Sequence, residues 1–280
     1  MLFTSIKKEI EKFVLNSIYN YVQKEDAIRP DLVGMQIYDS PLVGVASAKD
    51  PLFGELRKPE IVGEEVLLPR EWLSNANCII SFFLPFTESV RKSNREVNDR
   101  ASDEWLHARI EGQILIDRLG DFLCQKLASE GHKAVCPASD QRFKMIAPYA
   151  SNWSERHVAY ICGLGTFGLS KGLITKKGVA GRFGSVITSA ELPVTEREYS
   201  SPFEYCIMCG KCQKSCPVHA IDISKGGAKG KDQEICGSFV KDSFLPPHGV
   251  NKRRRYGCGK CQVGVPCEKS IPQKDTSSNA

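Results

Sequence analysis

The chain has no apolar stretch long enough to cross a membrane. Its longest run, Cys78 to Phe86, is interrupted by Ser81 and Pro85 and falls far short of the ~20 residues a span requires. It also lacks a one-sided charge. Lys and Arg number 38 against 33 Asp and Glu, a net +5 that is too mild to argue for nucleic acid by itself. Histidine is scarce, with five in 280 residues. The start, Met1-Leu-Phe-Thr-Ser-Ile-Lys-Lys-Glu-Ile-Glu-Lys, mixes acids and bases in a helical pattern and is neither a signal peptide nor a twin-arginine export signal. What the chain does have is cysteine, twelve in all. Secreted disulfide frameworks belong to shorter chains, so metal-type spacing in a chain of this length argues a reducing compartment and a cytoplasmic protein. The length suits one large domain or two smaller ones.

The cysteines are concentrated in one place. Cys206-Ile-Met-Cys209-Gly-Lys-Cys212-Gln-Lys-Ser-Cys216-Pro217 is the run C-x2-C-x2-C-x3-C-P, in which three close thiolates wrap one 4Fe-4S cube and the fourth reaches another. A tight loop with a small residue such as Gly210 points successive sulfurs inward. Downstream stand Cys236, Cys258, Cys261 and Cys267. In the interleaved arrangement Cys206, Cys209, Cys212 and Cys267 hold the first cluster, and Cys216, Cys236, Cys258 and Cys261 the second. Cys267 departs from the pattern, following Cys261 after five residues instead of three, with Pro266 before it. A zinc knuckle, or one cluster beside a separate zinc site, stays open at this point.

Ahead of the cysteines, hydrophobic periodicity sets the expectations. Ile6, Ile10, Phe13, Val14, Ile18, Tyr21 and Val22 predict an amphipathic helix over residues 5 to 24, and the apolar set from Trp105 to Leu127 predicts a long one over 102 to 129, stopped by Gly131. Leu42 to Ala46, Asn77 to Leu84 and His132 to Val135 read as strands, the second of them central. Alternating strands and helices imply an α/β (α+β) domain over residues 1–199. A small two-cluster, ferredoxin-like domain is expected over 200–272, where long apolar segments vanish and metal must impose structure. A flexible polar tail is expected over 273–280.

Between Ser151 and Leu192 glycine is dense. Gly163-Leu-Gly165-Thr-Phe-Gly168 matches a dinucleotide fingerprint, but its context fails, because Gly172, Gly178, Gly181 and Gly184 would each weaken a following helix by roughly 1 kcal/mol and no acid stands about twenty residues on. Ser154 to Tyr160 reads better as a helix capped by Ser154 and ended by Gly163. The glycines themselves fit two accounts: turns and bulges in a crowded sheet, or backbone lying flat against a broad planar cofactor.

Several segments together resemble the epoxyqueuosine reductase and reductive dehalogenase group. They are Ala76-Asn-Cys-Ile-Ile-Ser, Glu155-Arg156, Cys162-Gly-Leu-Gly-Thr-Phe-Gly168, Leu173-Ile-Thr175, Phe183-Gly184-Ser185, and the cysteine set with its isolated Cys236. The resemblance covers roughly residues 30 to 270. It implies a corrinoid (cobalamin) bound beside two 4Fe-4S clusters, with Gly163, Gly165, Gly168, Gly172, Phe183 and Gly184 as its contacts. It also implies Tyr149 as proton donor, since an aspartate of epoxyqueuosine reductases is replaced by Tyr149 here and the dehalogenases use a tyrosine. A phenol with an ordinary pKa near 10 stays protonated and able to donate at neutral pH. A packed tyrosine whose hydroxyl finds a backbone partner is the competing account. The helical-repeat extension that helps many epoxyqueuosine reductases hold tRNA is missing, which disfavours tRNA and leaves a small or unknown substrate. No Asp-x-His-x-x-Gly motif supports a histidine-ligated corrinoid.

The leading expectation is an iron-sulfur oxidoreductase that passes electrons through two clusters to a corrinoid. Its rival is a non-catalytic electron carrier or activator of a partner protein, without a corrinoid. Lys252-Arg-Arg-Arg255 reads as solvated charge, as a docking patch for a ferredoxin or flavodoxin donor, or as a site for RNA phosphate whose binding would weaken steeply with salt. His219 is a candidate for tuning a cluster. His107, His132, His157 and His248 are expected to be structural or surface residues. Cys78, Cys124, Cys136 and Cys162 are expected to be small fillers, with Cys162 placed to face a cofactor.

Overall fold

The computed structural model describes residues 2–248 and 251–273. The tail expected from 273 onward therefore lies outside the described residues after position 273, as does the side chain of His248.

Period-two burial organises the first two thirds of the chain. In β2 (Cys78–Pro85) every residue is buried, which requires protein on both faces. β1 (Leu42–Ser47) pairs with it antiparallel, Val45 opposite Ile80, and β8 (Gly181–Thr188) pairs on its other side, Phe82 opposite Gly184. The short β3 (Ala134–Val135) closes the sheet, whose order is β1-β2-β8-β3. Alternate residues of β2 divide the core between two layers. Cys78, Ile80, Phe82 and Leu84 point toward α1 (Leu2–Asn16) and the 27-residue α5 (Asp103–Ser129). Ile79 joins the opposite cluster, formed by the short α2 (Leu52–Glu55), α3 (Pro69–Trp72) and α6 (Glu155–Ile161) through Phe53, Trp72, Trp153 and Val158. Full burial of a side chain such as Phe82 contributes about 1.5–3 kcal/mol.

α5 forms where its apolar stripe predicts. Ser102 caps it by accepting from the Trp105 amide at 3.2 Å, and Gly131, at φ +84°, ends it. α4 (Glu88–Glu96) precedes it. α1 stops at Asn16, short of the expected residue 24, because a 3-10 turn at Ile18–Asn20 redirects the chain. Within the four-stranded sheet the strand not foreseen is β8, whose glycines mask its apolar alternation. Gly184 is needed there: a Cβ would stand 2.5 Å from the Phe82 ring and 3.0 Å from Ile116 of α5.

Two hairpins lead from the sheet to the cysteine region. β4 (Met145–Ala147) and β5 (Ala150–Ser151) form one, and β6 (Gly165–Phe167) and β7 (Leu173–Thr175) the other. After residue 199 only short elements remain: α7 (Lys211–Lys214), α8 (Gly226–Lys229), α9 (Gln233–Asp242) and the hairpin of β9 (Phe244–His248) with β10 (Arg253–Tyr256). Among the described residues no helix is long and apolar enough to cross a membrane.

The run at 252–255 is split: Lys252 and Arg254 are exposed, whereas Arg253 and Arg255 turn inward. Arg255 is 1% exposed and donates to Glu111 of α5 at 2.8 and 3.2 Å and to the Asp26 carbonyl at 2.6 Å. Arg253 pairs with Asp26 at 3.0 Å. Glu111 also accepts from His107 Nδ1 at 2.9 Å, while His107 Nε2 accepts from the Ile28 amide, so His107 is structural as expected. Periodicity carried no sign of this buried network, because its members are far apart in sequence.

Candidate metal centres and the adjoining cleft

Both Cys-Gly-Lys-Cys loops turn on a left-handed glycine, Gly210 at φ +69° and Gly259 at φ +73°. Gly259 crosses so closely over Trp105 of α5 that a Cβ would lie 2.1 Å from the indole, which fixes Cys258 and Cys261 against the first domain. Cys236 is presented by the first turn of α9, which Asp232 caps by accepting from the Glu234 and Ile235 amides at 2.9 and 3.0 Å. The two extra residues before Cys267 are absorbed by a turn: Gly264, at φ +65°, donates its amide to Glu268 Oε2 at 2.7 Å. The Cys267 carbonyl accepts from the Val179 amide at 2.9 Å. Glu268 is clasped by Arg91 and Arg95 of α4, and its own carbonyl sits where a Gly178 Cβ would be.

The eight thiols fall into two groups. Burial raises Cys267, to about 12, and its thiol neighbours Cys206, Cys212 and Cys209 add to this. Cys212 is pushed by burial to about 12, with Cys261, Cys206 and Cys209 as neighbours. In the other group, burial pushes Cys258 to about 11 beside Cys261 and Cys236, and raises Cys261, next to Cys236 and Cys216. Cys212 and Cys261 are where the groups meet. A cavity of about 210 Å³ is lined by Cys216, Cys236, Cys258 and Cys261 together.

Among the described residues no three Cys, His, Asp or Glu side chains converge tightly enough for a single metal ion. A tetrahedral zinc site needs sulfurs about 3.8 Å apart, given Zn–S of about 2.3 Å. A four-iron cube, gripped at separate corners, takes more widely spread sulfurs. The spacing of Cys206, Cys209, Cys212 and Cys216, with Pro217 after them, is that of a cube-binding run.

Cations that sequence reading missed surround the second group. Arg109, Arg182 and Lys231 line the same cavity, and the Nε atoms of Arg109 and Arg182 are buried without a hydrogen-bond partner. Lys231 is held raised by Cys261 and Cys236 although burial opposes it. Arg156 is exposed, and its guanidinium donates to the Lys171 carbonyl at 2.6 Å. Glu155, next in sequence, has both carboxylate oxygens buried and unpartnered, and burial raises it to about 7. Single-sequence patterning gives no signal for Lys231 or Arg182, which only the fold carries to the cysteines.

Tyr149 stands in the β4–β5 turn at φ +66°, a conformation uncommon outside glycine. Its side chain, 41% exposed, lies against Gly237, where a Cβ would meet the ring at 2.1 Å, and Lys241 stands 5.7 Å from the ring centroid. The phenol thus borders the second group at Cys236.

The glycines called as cofactor contacts have reasons internal to the protein. A Cβ on Gly163 would meet Thr195 at 3.0 Å, on Gly165 the Ile174 carbonyl at 2.0 Å, on Gly168 Ile174 Cδ1 at 3.2 Å, and on Gly172 Val179 at 2.4 Å. Phe183 packs on Phe83 with centroids 4.6 Å apart. The crowded-sheet account explains why these positions are glycine. Cys162 donates to the Ile79 carbonyl at 3.7 Å inside the sheet and does not face a cleft. His157 is a packed helix residue bonded to Ser154, with burial lowering it to about 4, and His219 lies exposed at φ +51° beside Cys216.

A family model described as 4Fe-4S binding domain matches residues 202–222. No curated protein sequence matches the chain. Among solved structures, an epoxyqueuosine reductase from Streptococcus thermophilus aligns with a TM-score of 0.53 and 17% identity, over 96% of this chain and 68% of that one. An epoxyqueuosine reductase with a tRNA-Tyr epoxyqueuosine-modified stem loop gives 0.53 and 17%, over 97% and 67%. The catabolic reductive dehalogenase NpRdhA in complex with 3-bromo-4-hydroxybenzoic acid gives 0.54 and 12%, over 96% and 37%. The chain has the fold these proteins share.

Proposed function

We propose that the chain is an iron-sulfur oxidoreductase that carries electrons through two 4Fe-4S centres to a substrate on the Tyr149 side of the second centre. The observation that supports this is the cavity lined together by Cys216, Cys236, Cys258 and Cys261, four cysteines that the C-x2-C-x2-C-x3-C-P run and the later cysteines would assign to one cube in interleaved order. Cys206, Cys209, Cys212 and Cys267 would hold the first centre and Cys216, Cys236, Cys258 and Cys261 the second, each supplying a one-electron couple. We divide the chain into a scaffold of residues 1–199 and a cluster-binding unit of residues 200–272.

The chain's own groups have defined tasks in this reading. The Cys-Gly-Lys-Cys loops would turn their sulfurs toward a cube on Gly210 and Gly259. The Tyr149 hydroxyl would serve as proton donor to a substrate that gains electrons beside the second centre. A low-potential ferredoxin or flavodoxin is the donor class that suits such centres. The likeness in fold supports a corrinoid as the group that reduces the substrate, an unidentified small molecule. The glycine packing supports no cradle for it, so no step is derived through it. That same packing favours a second reading, a non-catalytic electron carrier. A fold-mate seen with a tRNA stem loop keeps RNA as a substrate to be tested.

Iron and acid-labile sulfide assays after anaerobic reconstitution test the core of the reading. About eight of each per chain are expected, falling to about four in Cys267→Ala and in Cys236→Ala. About four in the unaltered protein would remove the second centre. Equilibrium dialysis with cobalamin, followed by visible spectra, separates the two readings, since a carrier shows iron-sulfur absorption alone.

A further inference from the structure

The first cysteine loop lies at a basic corner of the surface. Of the eight candidate ligands Cys209 is the exposed one, the other seven being buried or half-buried. The segment after the loop folds back beside it: the Ile223 amide donates to Gln213 Oε1 at 2.7 Å, and Ile223 Cδ1 lies 3.7 Å from where a Gly210 Cβ would be. Ile223 is 38% exposed, an apolar side chain at the surface next to the Cys209 turn. The same two segments carry Lys211 and Lys214 of α7, Lys225, and Lys229 of α8, all exposed. Against these four lysines the one acid between Cys209 and Lys229 is Asp222, 3.9 Å from Lys225. The next acids along the chain on either side are committed elsewhere, Glu204 accepting from the Ser200 and Ser201 amides and Asp232 capping α9.

We propose that this corner is the docking surface for an acidic one-electron carrier protein, which reduces the first centre through its Cys209 edge. The inference rests on the two-centre reading and adds to it the place where electrons enter. An apolar residue inside a polar, charged rim has the anatomy of a contact surface, and electron carriers bind through small, transient ones. Cations gathered on one side steer an acidic partner and raise its association rate by about 10–10³-fold at low salt. In the step itself the carrier is oxidised by one electron and the first centre is reduced by one, with no bond or proton changed at either.

Stopped-flow reduction of the reconstituted full chain by a pre-reduced acidic 2Fe-2S ferredoxin tests this, with dithionite as a small reductant that needs no docking surface. The ferredoxin rate constant is expected to fall at least about tenfold as salt rises from about 0.02 M to about 0.5 M, where the Debye length shrinks to a few ångströms. Lys211→Glu with Lys214→Glu, and separately Lys225→Glu with Lys229→Glu, should each slow it at least about tenfold at low salt, with iron content and the extent of dithionite bleaching unchanged. Lys252→Glu, in the turn between β9 and β10, should stay within about twofold of the unaltered rate. A salt-insensitive rate, rates within about twofold in both double variants, or an equal slowing by Lys252→Glu would overturn the proposal. So would charge reversal that leaves the carrier rate intact and weakens binding of an RNA stem loop instead. If the Lys211 and Lys214 variant loses iron, the Lys225 and Lys229 variant decides, because those side chains lie outside the ligand loops. Iron near four per chain in the unaltered protein would instead overturn the two-centre reading.

Discussion

Glu111→Ala removes one partner from the buried network that joins α5 to the β9–β10 hairpin. The carboxylate accepts two bonds from Arg255, at 2.8 and 3.2 Å, and one from His107 at 2.9 Å, and Arg255 is 1% exposed. Stranding one member of a buried pair costs about 3–5 kcal/mol. Arg255 keeps the Asp26 carbonyl at 2.6 Å, which places the loss near the lower end, about 3 kcal/mol. At about 2–4 °C per kcal/mol for a chain of this size, the melting midpoint should fall by about 6–12 °C. The assay is thermal unfolding by far-UV circular dichroism at matched iron content, with 4Fe-4S absorbance followed in parallel because β10 leads directly into Cys258. Glu111→Leu combined with Arg255→Leu should recover most of the loss, since apolar replacement of a whole buried pair is often neutral. A loss under about 1 kcal/mol for Glu111→Ala, the usual value of an exposed pair, would refute the reasoning.

The same carboxylate gives a pH signature. Burial alone would raise Glu111, but the bonds from His107 and Arg255 win and hold it below its ordinary value, so its contribution is present above the unfolded pKa of about 4.3 and is lost as pH falls through the folded one; acid titration of stability should lose its steep limb in the double Leu variant. Glu155 has the opposite sign. Burial raises it to about 7, so stability should fall as pH rises from about 4.5 to 7, and Glu155→Gln should flatten that fall and gain up to about 3 kcal/mol at pH 8, measured by urea unfolding; an unchanged pH profile would show the carboxyl to be solvated. Gly237→Ala should expel the Tyr149 ring, readable as a change in tyrosine fluorescence that Tyr149→Phe abolishes, and a silent Gly237→Ala would show that the ring does not rest there. Gly178→Ala, at φ +80° with the Glu268 carbonyl 2.1 Å from the added carbon, should lower the melting midpoint by several degrees; an unchanged midpoint would mean the contact yields freely.

Much of this was legible in the sequence because it depends on local chemistry. The α5 stripe, the Ser102 cap and the β2 run are short-range signals, and the cysteine spacing is fixed by what a cube must grip. What was illegible depends on distance along the chain. Arg255 looks like surface charge until Glu111, 144 residues earlier, is placed against it. β8 hides behind Gly181 and Gly184, whose reasons lie in Leu84 and Phe83 for the first and in Phe82 and Ile116 for the second. Lys231 has no pattern of its own and matters only where α6 and the cysteine loops converge.

Cys267 ties the end of the cysteine region to the sheet, because its carbonyl accepts from Val179, two residues before β8 begins. In the two-centre reading its sulfur would also hold a cube, so the occupancy of that centre and the order of the backbone around residue 178 would rise and fall together.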